Sequence, residues 1–103
     1  MSPISKAARA YTLERNNFNY IRATIQMLLR DQNVSSDKLD KARGELEAAE
    51  KAFCATLDGL SKSQERRTLD GRAYLYSRYY DCLDDLFDAI MLKRQQETQA
   101  EAE

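Results

Sequence analysis

Residues 4–29, ISKAARAYTLERNNFNYIRATIQMLL, decide the fold. Ile4, Ala7, Tyr11, Glu14, Phe18, Ile21, Ile25 and Leu28 follow one another at alternating spacings of 3 and 4, which lines them up along one side of a single long helix. Only Glu14 interrupts the apolar seam. A second set, Leu13, Tyr20 and Met27, recurs every seven residues. At about 100° per residue it falls roughly opposite Phe18, across the helix from the first seam. A helix that is apolar on two opposed sides is normally covered on both. The second row therefore meets another helix of the same chain, a second copy or another protein, or is a set of scattered exposed apolar side chains that need no covering. We expect this helix, residues 3 to 31, to be the central element of the fold, and Leu13, Tyr20 and Met27 to serve a homodimer or a complex with a partner.

Two further helices follow from the same reasoning. Ser2 before Pro3 is a start signal, and the polar cluster from Asp31 to Ser36 is a stop followed by a new cap. The second helix begins at Ser35 or Ser36, with Asp37 at the positive end of its dipole, and carries the narrow seam Leu39, Ala42, Leu46, Ala49, Phe53, Leu57 and Leu60. Residues 61–68, SKSQERRT, contain no apolar side chain and read as the second connection. Its boundary stays open between a capping box, Ser61 with Gln64, and a turn at Asp70-Gly71. The third helix carries Leu69, Ala73, Tyr76, Tyr80, Leu83, Phe87 and Ile90 as its expected core stripe, flanked by Tyr79 and Leu86. From Arg94 the sequence RQQETQAEAE has no apolar face and is expected to fray. The expected fold is an all-α bundle of three long antiparallel helices, with one domain over residues 1–97 and a disordered acidic tail over 98–103.

Composition agrees with that class. Of the 103 residues 43% are hydrophobic and 32% charged, and there are three Gly and one Pro, so a single modest core without strand-forming runs is expected. Sixteen basic against seventeen acidic residues give a net charge of −1, which supplies no global pull toward nucleic acid or an anionic membrane. No run of about 18 apolar residues is present and the amino terminus lacks a basic and apolar leader pattern, so a cytoplasmic protein without membrane association is expected. Cys54 and Cys82 lack metal-type spacing and read as small buried hydrophobes in a reducing compartment.

Function is less legible than fold. Asp81, Asp84, Asp85 and Asp88 share one surface of the third helix, with Tyr74 and Leu92 beside them. Such a face is either a solvated charge run or a dock for a protein with a basic surface. Arg66, Arg67, Arg72 and Arg78, near Tyr74 and Tyr79, form an alternative patch for nucleic acid, because arginine and aromatics together supply phosphate contacts and stacking.

An enzyme is not expected. The chain has no histidine, the commonest general base and transition-metal ligand, and its isolated glycines make no phosphate-cradling loop. Glu47-x-x-Glu50 and Asp81-x-x-Asp84 resemble the paired acidic motifs of all-α nucleotide pyrophosphohydrolases, which implies magnesium held between them. The second pair departs from that pattern by starting with Asp where Glu is expected. The reading that the sequence favours is a non-catalytic binding module without cofactor or metal. It would act as an adaptor, or as an inhibitor occluding a site on a larger protein, of the type that phages and mobile elements make. A small helical nucleic-acid-binding regulator and the magnesium-dependent hydrolase are the alternatives.

Overall fold

A computed structural model describes residues 6–60 and 65–102. They form three helices, α1 (Lys6–Arg30), α2 (Ser36–Asp58) and α3 (Glu65–Ala102), and no strand. α2 runs antiparallel to both neighbours, so α1 and α3 lie parallel. Two ties run in the same order along both: the Tyr74 hydroxyl donates to Asn19 Oδ1 at 2.8 Å, and Lys93 Nζ to the carbonyl of Gln32, just past α1, at 2.5 Å. The result is a rod of 67 × 21 × 17 Å.

The central element is α2, which packs along its length on both other helices, whereas α1 and α3 touch only in places. This corrects the expectation that α1 is central. The reason lies in the width of the seam. In a three-helix bundle each helix meets its neighbours within one broad arc, so one seam with small residues serves two partners and opposed apolar faces are unnecessary. Leu39, Ala42, Leu46, Ala49, Phe53 and Leu57 are all buried. Phe53 is fully enclosed and takes edge-on contacts from Tyr11 and Phe18, with ring centroids at 5.5 and 5.7 Å. Tyr11, Phe18 and Ile25 of the first seam are buried as expected; Ile4 of that seam, and Ser2 and Pro3, lie outside the described residues.

The end of the rod at the α1–α2 turn is closed by three devices. Val34, within a stretch that reads as polar, is buried as a plug. Ser35 is the N-cap of α2, its side chain accepting from the Lys38 amide at 3.1 Å. Ser36 then donates from its amide and its hydroxyl to the two oxygens of Glu97, at 3.0 and 2.6 Å. A carboxylate from another helix thus meets unsatisfied donors of the first turn of α2, where the helix dipole favours negative charge.

That contact bears on the acidic end of the chain. Residues 94–102, expected to fray, continue α3 as a helix to Ala102. Polarity alone is a poor guide here, because Glu97 and Lys93 have partners on other elements that the sequence does not announce. At its other end α3 begins at Glu65, so 65–68 belong to the helix, while Ser61 and Gln64 lie outside the described residues.

Asp70-Gly71 is not a turn but lies inside α3. Gly71 is buried where the three helices converge, and a Cβ there would sit 2.7 Å from Leu57 Cδ2 and 3.3 Å from the Tyr11 ring. Gly44, in contrast, faces open space.

Two predictions follow from these contacts. Gly44→Ala should raise stability by roughly 1 kcal/mol through helix propensity, whereas Gly71→Val should lower it by about 1–3 kcal/mol by overpacking; urea denaturation of both variants checks the opposite signs. Hydrogen bonds from Ser36 hold the Glu97 carboxyl below its usual range. A lowered folded-state pKa gives stability that is present above the ordinary glutamate pKa and is lost as pH falls through the folded value. The difference in melting temperature between wild type and Glu97→Ala should accordingly be constant near neutral pH and shrink below about pH 4, as read by thermal denaturation across pH.

Candidate docking surfaces

α3 positions most of the candidate residues, and its inward face is not the stripe expected. Gly71, Leu75, Cys82, Leu86 and Ile90 are buried, with Tyr79, Leu83 and Ala89 partly so. Leu69, Ala73, Tyr76, Tyr80 and Phe87 of the expected core stripe are exposed instead. The helix bears two apolar stripes about a quarter-turn apart. The one with glycine and cysteine faces inward because its small members let α3 approach α1 and α2 closely, whereas the tyrosine-rich one would hold the helices apart.

The acidic face is as the spacing requires. Asp81, Asp84, Asp85 and Asp88 are all exposed, and among the described residues none forms an ion pair. Leu92 stands exposed beside them. Tyr74 does not: it is half-buried in the seam with α1, its hydroxyl bound to Asn19 and its ring covered by the Arg78 guanidinium 4.2 Å from the centroid. The expectation that Tyr74 offers a free aromatic at one end of the acidic face is corrected by these two contacts. Burial raises the Cys82 thiol above its ordinary pKa, with the nearby Arg22 opposing and Asp85 adding to the shift, and both cysteines are unpaired. A buried thiol held protonated is a poor nucleophile.

On α1, Leu13, Tyr20 and Met27 are exposed by 67%, 72% and 72%. Among the described residues no helix covers them, which argues against an internal covering. The three stand as single side chains two turns apart, with Asn16, Asn17, Ala23 and Thr24 exposed around them.

The arginine patch is divided. Arg72 points to α2, where it pairs with Asp58 at 2.5 Å, an interaction that raises its pKa; Arg78 stacks on Tyr74 on the α1 side. The side chains of Arg66 and Arg67 lie outside the described residues. The carboxylate pairs of the hydrolase-like pattern are divided too. Glu47 is tied to Arg43 at 2.7 Å; burial raises the pKa of Tyr79, and Glu47 and Glu50 raise it further. Asp81 and Asp84 stand on the outer side of α3, and among the described residues no group of three or more acidic or cysteine side chains gathers at metal-binding distance.

An open cleft of about 680 Å³ between α1 and α3 is lined by Tyr11, Arg15, Asn16, Asn19, Asp70 and Tyr74, and sequence spacing alone did not point to it. Gly71 lines it as well. Arg15 lies over the Tyr11 ring and Asn19 is held by Tyr74 and Arg22, so its polar groups largely serve one another.

Among the described residues no helix is long and apolar enough to cross a membrane. No family model matches the chain, and no curated protein or solved structure matches it.

Tyr20→Glu places a charge where the chain has no internal contact to lose, so its stability should stay within about 0.5 kcal/mol of wild type, with unchanged helix content by circular dichroism. A cooperative loss of folding would return Tyr20 to the core.

Proposed function

We propose that this protein is a non-catalytic helical binding module that docks, through the acidic outer face of α3, onto a basic surface of a larger protein. The observation that carries this reading is the row Asp81, Asp84, Asp85 and Asp88, four exposed carboxylates without an ion-pair partner among the described residues. Like charges at these spacings repel one another and cost stability in the isolated helix. A basic partner relieves that repulsion and gains electrostatic steering on approach. Leu92 adds an apolar anchor at one end of the row.

Such a module acts by occupancy. An adaptor or an inhibitor that covers a site on its partner needs a rigid face and no chemistry of its own, and a rod with its carboxylates on one long helix supplies that face. Among the described side chains the arginines offer no comparable surface, because Arg72 is engaged with Asp58 and Arg78 with the Tyr74 ring. The row on α1 is better suited to a supplementary contact than to a dock, since its three side chains are isolated from one another.

The test compares the wild-type chain with Asp84→Lys/Asp88→Lys, first as baits to identify a stoichiometric partner and then with that partner purified. Wild-type affinity should fall as salt is raised, and the double variant should lose at least tenfold in affinity while its stability changes by less than about 0.5 kcal/mol. Equal affinity for both chains would refute the acidic face as the dock.

A further inference from the structure

The largest unexplained surface is the tyrosine-rich stripe of α3. Leu69, Ala73, Tyr76, Tyr80, Leu83 and Phe87 alternate spacings of 4 and 3, and Met91 continues the line. Leu69 is exposed by 63%, Tyr76 by 40%, Tyr80 by 54%, Phe87 by 43% and Met91 by 63%. Alternating 4 and 3 over this length is the pattern of a helix whose seam is covered by another helix. Yet among the described residues no helix lies on it, and only Leu83 is partly buried. Tyr76 and Tyr80 stack on each other, centroids 6.3 Å apart, so part of the seam is already ordered in the single chain.

We propose that this stripe is a self-association surface, on which α3 of a second copy packs antiparallel. Three observations support a second copy. The first is area: the five exposed side chains present on the order of 600 Å², at the upper limit of the largest patch on an ordinary monomer and close to the roughly 800 Å² that each partner buries in a standard interface. The whole molecule exposes 7337 Å², where a compact monomer of this mass exposes about 6,000 Å².

The second observation is charge. Residues 61–80 hold five basic side chains, Lys62, Arg66, Arg67, Arg72 and Arg78, against Glu65 and Asp70. Residues 81–103 hold Lys93 and Arg94 against seven acidic ones, Asp81, Asp84, Asp85, Asp88, Glu97, Glu101 and Glu103. A parallel pair would set like halves side by side; an antiparallel pair sets each basic half on an acidic one. The third is symmetry: Leu69 and Met91 are equidistant in sequence from Tyr80, so a two-fold axis near Tyr80 covers the stripe end to end in both copies. The charge pairing of this dimer draws on the same acidic half that carries the proposed dock, and Asp84 borders the stripe. Asp81, Asp85 and Asp88 lie to one side of the stripe and stay open on both copies.

Sedimentation equilibrium of the full chain should give twice the 11.9 kDa chain mass at micromolar concentration. Tyr80→Glu/Phe87→Glu should restore the single-chain mass with unchanged helix content, since both side chains are exposed, and Leu13→Glu/Met27→Glu should remain dimeric. For orientation, an equimolar mixture of Leu69→Cys and Met91→Cys chains, with Cys54 and Cys82 replaced by Ala, should oxidise mainly to the mixed disulfide. A wild-type monomer at 100 micromolar (about 10⁻⁴ M, the weakest affinity such a surface would be expected to give) overturns the proposal. A dimer dispersed by the α1 variant rather than the α3 variant also overturns it, and predominance of the Leu69→Cys homodisulfide overturns the antiparallel arrangement. The dimer is read from the chain mass of the α3 variant and the dock from the partner affinity of the aspartate variant, so failure of one is distinguishable from failure of the other.

Discussion

The aromatic contact at Phe53 sets the geometry on which everything else depends. Tyr11 and Phe18, two turns apart on α1, grip one ring of α2 edge-on, an arrangement favoured by the ring quadrupoles over face-to-face stacking. Because Phe53 is wholly enclosed, its position fixes the approach of α1 to α2 and the height of one along the other. One turn further, Leu57 must lie against Gly71, and this brings α3 in beside Tyr11. Three helices are thus registered by one ring and one missing side chain.

Once α3 is registered at Gly71, its long axis carries the consequence to the other end of the rod. Arg72 meets Asp58, Tyr79 comes near Glu47 and Glu50, and Glu97 arrives at Ser36 as α2 begins. Each pair adds little alone, since all are partly or fully exposed. Together they hold α3 in a single register and rotation. Rotation matters because it decides which of the two apolar stripes turns inward, and hence which stripe is left for another molecule.

The same dependence separates what the sequence disclosed from what it did not. Three helices, the Ser35 cap, the seam of α2 and the buried set Tyr11, Phe18 and Ile25 were legible, because a 3 and 4 spacing with a capping residue has one reading. The acidic face was legible for the same reason. The inward side of α3 was not. Spacing shows that a helix has an apolar stripe, but with two stripes the choice rests on interhelical distance, which Gly71 and Cys82 permit and Tyr76 and Tyr80 would not. Tyr74 was misplaced by the same rotation, Glu97 by a partner 61 residues away, and Val34 by its burial in the core, none of which a local pattern encodes.

A design that spends its small residues on the inside leaves its large aromatics outside, and those aromatics then demand an explanation of their own. A solvated helix needs neither tyrosine pairs nor a sustained 4 and 3 spacing; charged and polar side chains hold such a face in solution at lower risk of nonspecific association. On α3 the apolar stripe runs for about six turns, from Leu69 to Met91, and the acidic row from Asp81 to Asp88 runs beside it for about two of them. Apolar area supplies affinity without direction, and the charge beside it supplies direction with little affinity. One helix therefore carries both of the proposed contacts, and α1 and α2 with their single core fix which of its faces is turned outward.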